Sequence, residues 1–450
     1  MKYKDLTTGG IAANLIALSV PIISASFIQM TYNLIDMFWI GHFSAEAIAA
    51  IGAAAFFAWM SSALSLITKV GAEVTVSQSL GEGNKSKACK QALFGFSWSV
   101  YIGLTFALLL LFFAPQAIAF FGLDEKVSEE AIVYLRWISP GFLLTFINQL
   151  FSGIYNASGN STPPFKINAF GLIVNIILDP LLIYGLGPIP SLGLKGAAIA
   201  TSLAQLVVFL VFAYRFFSNK RSPIGKLTLV NPFKYVMGFN LLRVGLPVGA
   251  QNLFFCFISM FIAQLAATFG KEGIAAYGVG AQFEAINWMS AGGFSTALCA
   301  FVGQNFGAHR YDRIKKAFAY TTRVAGMIGL FVSIGFFLFG NELFSLFVAD
   351  VQTALVGGGY LRVIALSQLF MILEIVSTGA FNGLGRTIPP AIVNISFNIA
   401  RIPLAYLFVY TFGMGITGIW WSISLTTVIK GVLLYIWYSR YASQKVREGI

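Results

Sequence analysis

The sequence has 450 residues, of which 57% are hydrophobic and only 10% are charged, and its mean hydropathy is +0.79. These values exclude an ordinary soluble protein and predict a polytopic membrane protein. At about 20 residues per spanning helix, a chain of this length holds about a dozen crossings and no separate globular domain. We therefore expect the functional site to lie within the membrane.

Charge and metal-binding residue types exclude several further classes. The net charge of +12 would suggest a nucleic-acid partner in a soluble protein, but most of the surplus Lys and Arg lies in short loops, as on the cytoplasmic face of membrane proteins. We expect no nucleic-acid partner. Cys89, Cys256, Cys299, His42 and His309 are too scattered for a disulfide framework or a zinc site. The sequence therefore predicts no resident metal, no cofactor and no enzymatic activity.

Long apolar segments follow one another along the whole chain. They are too long for the strands of a membrane barrel and do not alternate, so we predict an all-α polytopic membrane protein with twelve transmembrane helices. The first segment exceeds the core of a signal peptide and is predicted to be the first membrane helix. The segments lie near residues 11–40, 46–70, 89–113, 128–155, 163–186, 192–217, 240–268, 272–302, 315–340, 353–381, 388–412 and 416–438.

The distribution of Lys and Arg predicts the orientation. With a cytoplasmic N-terminus, only Lys126, Lys195 and Lys271 fall in outer loops. We expect a multi-pass protein of the cell inner (plasma) membrane, surrounded by the lipid bilayer and monomeric, with both termini in the cytoplasm. The longest polar connection divides the helices into six plus six. It predicts an N-terminal lobe at residues 1–217, a cytoplasmic linker at 218–239 and a C-terminal lobe at 240–450.

The two halves form an internal repeat at a constant shift of 226 residues, which pairs Pro21 with Pro247. Because each half has an even number of crossings, we expect two lobes related by a pseudo-two-fold axis along the membrane normal and flanking a central cavity, as in transporters. Near the end of each half the shift becomes 222. The matched residues include Gly52, Gln78, Gly81, Gly153, Asn156, Gly159, Pro163, Pro164, Asn168, Gly193 and Gly196, opposite Gly278, Gln304, Gly307, Gly379, Asn382, Gly385, Pro389, Pro390, Asn394, Gly415 and Gly418.

The sequence favours an ion gradient over ATP as the energy source. The nearest approach to a nucleotide motif, Gly81-Glu82-Gly83-Asn84-Lys85-Ser86, lacks the spacing of a phosphate-binding loop and follows no strand. Acidic residues inside membrane helices are therefore the first candidates for function, since an intramembrane carboxylate is costly.

Two such acids, Asp36 and Asp179, are predicted in the outer halves of helices 1 and 5. Asn175 lies one turn before Asp179, so its amide is placed to hydrogen-bond the carboxylate or to help coordinate a cation. Two carboxylates in one low-dielectric pocket favour uptake of a proton or a sodium ion. The alternatives are that Asp36 is an interfacial residue and that Asp179-Pro180 only marks a kink.

The second half carries Glu284, Glu374 and Arg401 within its helices, without acids at the positions of the first-half pair. Glu374 could attract a cationic substrate or form a structural ion pair with Arg401. Pro21 and Pro247 lie inside long helices and predict a kink or a hinge. The hinge interpretation is favoured for Pro21, because Asp36 lies on the same helix.

The whole chain resembles the multidrug and toxic compound extrusion (MATE) family. The resemblance is closest to its DinF-like branch, because that branch has the acid pair of Asp36 and Asp179 with Asn175. The other bacterial branch has a helix 7 glutamate where this sequence reads Leu253-Phe254-Phe255-Cys256. The similarity rests on the six-plus-six repeat and on Leu18-Ser19-Val20-Pro21, Gly245-Leu246-Pro247, Asn156-Ala157-Ser158-Gly159 before Pro163-Pro164, and Asn175 with Asp179-Pro180.

This resemblance implies a cation site formed by Asp36, Asp179 and Asn175, with Thr201 as a helix 6 ligand and Pro21 as the point where helix 1 bends on protonation. It implies an antiporter coupled to H⁺, with Na⁺ as the alternative at Asp36, Asn175 and Asp179, that exports cationic, hydrophobic small molecules by alternating access. A flippase for a lipid-linked precursor is the alternative function. Apart from the resemblance, the sequence predicts four residues at a possible substrate cavity: Glu284, Glu374, Arg401 and Asn156.

Overall fold

The computed structural model describes residues 3–41, 45–185, 190–217, 236–348 and 350–448. Within these ranges the chain is helical and contains no strand. Twelve helices are long and apolar enough to cross a membrane, which confirms the all-α prediction. The helices are α1 (Ile11–Gly41), α2 (Ala45–Gly81), α3 (Lys85–Ala119), α4 (Glu125–Ala157), α5 (Thr162–Ile183), α6 (Gly193–Phe217), α7 (Val236–Ala267), α8 (Gly270–Gly307), α9 (Tyr311–Ser345), α10 (Val351–Gly383), α11 (Ile388–Tyr406), which continues as a π-helical turn at Leu407–Thr411, and α12 (Ile416–Glu448).

The helix starts reproduce the sequence repeat. Both α5 and α11 begin with a proline pair at their first positions, where the missing N–H costs no helical hydrogen bond. In the turns before them, Gly159 and Gly385 adopt φ values of +78° and +73°. Side chains rarely tolerate this conformation, so the glycine requirement explains why the two turns match.

Helix α2 is longer than its apolar segment predicts. The predicted segment ends at residue 70, whereas α2 continues to Gly81. Lys69 and Glu73 mark the predicted end, yet Glu73 is buried and Lys69 is half-buried. Both charged residues therefore lie within α2, which ends at the turn glycine Gly81.

The chain divides into two compact units, and two of the boundaries between them fall inside helices, one in α1 and one in α7. Unit 1 contains Met1–Asp5 and Val20–Gly249, and unit 2 contains Leu6–Ser19 and Ala250–Ile450. The divisions therefore fall next to Pro21 in α1 and close to Pro247 in α7. Residues 218–235 of the predicted linker lie outside the described residues, and the predicted lobe boundaries stay a prediction.

Each unit contains the same close helix crossing. In unit 1 a Cβ on Gly153 of α4 would lie 3.0 Å from the backbone oxygen of Lys69 in α2, and in unit 2 a Cβ on Gly379 of α10 would meet the backbone oxygen of Ser295 in α8. Both pairs obey the 226-residue shift. The repeat therefore preserves backbone packing even where the side chains differ in charge.

Candidate functional site

Asp179 and Asn175 are both buried in the second half of α5, at 1% and 0% exposure. The Asn175 Nδ2 donates a hydrogen bond of 3.2 Å to Oδ1 of Asp179. This is the contact expected from their spacing of one helical turn. The Oδ1 of Asn175 has no hydrogen-bond partner in the described part of the chain, so one buried acceptor of the pair remains available.

Thr201, on α6, is connected to α1 by a hydrogen bond. The hydroxyl of Tyr32 donates to Oγ1 of Thr201 at 3.0 Å. The interaction places the middle of α1 beside the helix that carries the third predicted ligand. Thr201 was predicted from the sequence, whereas Tyr32 was not. Tyr32 lies on the same helix as Asp36, four positions before it.

A second contact joins the outer part of α1 to the end of α5. The Tyr184 hydroxyl donates a 2.6 Å hydrogen bond to the backbone oxygen of Trp39, and the two rings pack edge to face with centroids 6.1 Å apart. The segment of α1 between Tyr32 and Trp39 therefore lies next to both α5 and α6. Asp36 belongs to this segment by sequence.

The side chain of Asp36 lies outside the described part of the structure, although its backbone belongs to α1. The structure therefore brings Asp179, Asn175 and Thr201 into one unit and positions the helix that carries Asp36. The direct pairing of Asp36 with Asp179 stays a prediction.

Pro21 lies inside α1, directly after the point where the chain passes from unit 2 to unit 1. A proline has no N–H to donate to the carbonyl four residues earlier, here that of Ala17. The helix thus lacks one hydrogen bond where it changes units. This position suits the predicted hinge, and the bending itself stays a prediction.

Four charged side chains are clustered within unit 2: Glu284, Glu374, Arg401 and Lys430. The Tyr360 hydroxyl donates a hydrogen bond to Oε1 of Glu284, which joins α10 to α8. Lys430 of α12 pairs with Glu374 of α10 at 3.0 Å and also donates to Oδ1 of Asn398 in α11 at 3.1 Å. Glu374 therefore forms an ion pair with Lys430, whereas the alternative predicted from the sequence was a pair with Arg401.

Arg401 is 7% exposed and is held by two hydroxyl groups of α12. Its Nε donates to Oγ1 of Thr426 at 3.1 Å and an Nη donates to Oγ1 of Thr427 at 3.3 Å. Among the described residues no carboxylate oxygen lies within 4.0 Å of the guanidinium. The fourth residue assigned to a substrate cavity, Asn156, is buried in the last turn of α4 in unit 1. A substrate-binding role for Glu284, Glu374, Arg401 and Asn156 stays a prediction.

Three charged residues inside membrane helices were not predicted as candidates from the sequence: Lys69, Glu73 and Lys430. The Lys69 Nζ donates to Oε1 of Gln149 at 2.9 Å, and Oε1 of the buried Glu73 has no hydrogen-bond partner among the residues described. The rule applied to the acids, that charge inside a membrane helix requires a reason, also identifies Lys430. No group of three or more His, Cys, Asp or Glu that could hold a metal occurs in the described ranges.

Related proteins cover nearly the whole chain. A probable multidrug resistance protein NorM of Thermotoga maritima is 26% identical over 95% of this chain and 92% of its own length. An FAD transporter of Shewanella oneidensis is 24% identical over 99% and 97%. A multidrug export protein MepA of Staphylococcus aureus is 23% identical over 93% and 92%.

Solved structures show the same fold at low identity. A crystal structure of a MATE protein in the bent conformation matches with a TM-score of 0.92 and 24% identity, covering 100% of both chains. One in the straight conformation matches with a TM-score of 0.91 and 24% identity, covering 99% of both.

The MatE family profile matches the chain twice, at residues 21–181 and 247–407. The two matches begin at Pro21 and Pro247 and are offset by the 226 residues of the repeat. This result confirms the family prediction and the expectation of a non-enzymatic protein, while the DinF-like branch stays a prediction. Because the matches cover more than half of the sequence, the chain belongs to the MatE family of membrane transporters.

Proposed function

We propose that this protein is a multidrug efflux antiporter in which unit 1 binds the coupling cation. Asp36 and Asp179 are the cation-binding acids, Asn175 and Thr201 complete the site, and H⁺ is the coupling ion with Na⁺ as the alternative. The exported compounds are cationic, hydrophobic small molecules. The multidrug resistance proteins among the relatives support the substrate class.

The observation that carries the proposal is the buried Asp179–Asn175 pair in a membrane-spanning helix. An acid at 1% exposure in a membrane-spanning helix is energetically costly, even with a hydrogen bond of 3.2 Å to an amide. Its presence therefore favours a functional role for the carboxylate. The contacts of Tyr32 and Trp39 place the intervening segment of α1, which contains Asp36, beside α5 and α6. A second acid at this place would make the site doubly acidic and favour cation uptake.

Coupling requires that the cation and the substrate prefer different conformations. Protonation of one acid lowers the negative charge of the site and removes the repulsion between the two carboxylates. Because α1 lacks a hydrogen bond at Pro21, the segment beyond it is the part that can change its direction at low cost. Cation entry from outside then favours the conformation that releases the substrate. In this proposal the protein lies in the plasma membrane, with both termini in the cytoplasm.

A flippase for a lipid-linked precursor is the alternative, and the FAD transporter among the relatives shows that an anionic substrate occurs in a similar protein. Such a substrate requires a surplus of cations at its phosphates. In unit 2, Arg401 and Lys430 are accompanied by Glu284 and Glu374, so that cluster has no net positive charge. This balance favours the export of cations.

The test is dye efflux from proteoliposomes under an imposed pH gradient, followed by a Na⁺ gradient. We expect the pH gradient to drive efflux in the wild type. Asp36→Asn and Asp179→Asn should both reduce efflux to the background of empty liposomes, because a neutral amide cannot release a proton. Asp350→Asn, at an exposed turn outside the membrane segments, is the control and should retain efflux.

Full efflux by Asp36→Asn would remove that residue from the site. Efflux driven only by Na⁺ would replace the coupling ion and keep the residues. Loss of lipid-linked precursor transport in the same variants, with no drug efflux in the wild type, would favour the flippase.

A further inference from the structure

The starts of α5 and α11 align the sequences of these two helices and so identify the repeat counterpart of Arg401. Both helices begin with a proline pair, and no gap separates that pair from the residues compared. Arg401 follows Pro389 by the same number of residues as Asn175 follows Pro163. The counterpart of Asp179 is then Ala405, which is fully buried.

Unit 2 therefore has a guanidinium where unit 1 has the amide of its proposed cation site. The guanidinium donates hydrogen bonds to the hydroxyl oxygens of Thr426 and Thr427, which face its positive charge as hydroxyl ligands face a bound cation. It has no acid one turn later on its own helix, since that position is Ala405. The negative charges within electrostatic range come from other helices, Glu284 of α8 and Glu374 of α10.

A second pair of counterparts shows the same change from neutral to charged groups. In unit 1, Nδ2 of Asn148 in α4 donates to Oε1 of Gln205 in α6 at 3.0 Å. In unit 2 the counterpart of Asn148 is Glu374, which pairs with Lys430 of α12 at 3.0 Å. Two amide side chains thus connect α4 to α6 in unit 1, whereas an ion pair connects α10 to α12 in unit 2.

We propose that Arg401 is a built-in cation that takes the place of the exchangeable coupling cation in unit 2. Its charge and that of Lys430 balance Glu284 and Glu374, so unit 2 binds no coupling ion. The inference rests on the proposed function for the meaning of the unit 1 site. It also replaces the substrate-binding role predicted for Arg401.

The test is rescue of Arg401→Ala by a free cation of the same chemistry. The purified variant is heated in detergent with guanidinium chloride at millimolar concentration or with urea, its uncharged analogue of similar size. We expect guanidinium to raise the unfolding midpoint of the variant and urea to leave it unchanged. A tenfold excess over the dissociation constant should multiply the ratio of folded to unfolded protein by about 11. The wild type should respond to neither compound at this concentration.

If the variant does not survive purification, the yield of monodisperse protein extracted from membranes in guanidinium, compared with urea, gives the same comparison. Arg401→Lys, which retains the charge, should be stable without additive. Equal effects of urea and guanidinium, or no rescue by either, would overturn the inference. Because this readout does not depend on transport, failure of Asp179→Asn to reduce pH-driven efflux would overturn only the proposed function.

Discussion

The ion pair between Glu374 and Lys430 joins α10 to α12 inside the membrane-spanning part of unit 2. The side chains are 12% and 5% exposed, and the charged atoms are 3.0 Å apart. Removing one partner of a buried pair leaves a charge with neither water nor a counter-ion. Glu374→Gln is therefore expected to destabilise the protein strongly.

The expected loss lies near the lower end of the range for broken buried pairs, about 3 kcal/mol. The lower end applies because Lys430 keeps its 3.1 Å hydrogen bond to Asn398. Lys430→Met should cost a similar amount, since it leaves the Glu374 carboxylate alone. The double variant removes both charges and should lose only about 1 kcal/mol, less than either single variant, as when buried pairs are replaced by neutral groups.

The assay is a double-mutant cycle on unfolding in mixed micelles of detergent and sodium dodecyl sulfate, with thermal unfolding as a second measurement. Asn148→Ala is the matched control, because it breaks the neutral counterpart of the pair in unit 1 and should cost about 1 to 3 kcal/mol. Losses that simply add in the double variant would contradict this expectation, because they would show that the two side chains contribute independently to stability.

Two further predictions concern backbone packing and pH. Gly245→Ala should destabilise unit 1 by about 1 to 3 kcal/mol, because its Cβ would overlap the backbone oxygen of Ile67, whereas the control Gly278→Ala has open space and should be neutral or stabilising in the same unfolding assay. The hydroxyl and N–H of Thr353 donate to Asp350 and hold the pKa of that carboxyl below its ordinary value. This stabilisation is present above the ordinary pKa and is lost as the pH falls through the lowered one. Asp350→Ala should therefore lower the unfolding midpoint at neutral pH and converge with the wild type in acid, and a difference independent of pH would contradict this.

Local spacing was sufficient to predict the contacts that lie within one helix. The hydrogen bond from Asn175 to Asp179 follows from a separation of four residues, and the helix starts follow from the proline pairs. The repeat could also be predicted, because it depends on the positions of small and turn-forming residues. These positions are fixed by close backbone approach, as between Gly153 and Lys69.

The partners of charged groups could not be predicted, because they depend on how distant helices pack. Lys430 lies 56 residues after Glu374, and no periodic pattern brings them together. Burial of Lys69 and Glu73 in α2 was missed for a related reason. The two charges lower the local hydropathy and so shorten the predicted apolar segment, whereas in the folded unit Glu73 is buried and Lys69 is half-buried.

The proposed mechanism requires that unit 1 hold a proton that substrate binding displaces. It is tested most directly by adding a cationic dye to the purified protein in weakly buffered detergent solution and recording the pH. We expect the wild type to release protons as the dye binds and Asp179→Asn to bind the dye with little or no release. Equal proton release by the wild type and by Asp179→Asn would contradict it.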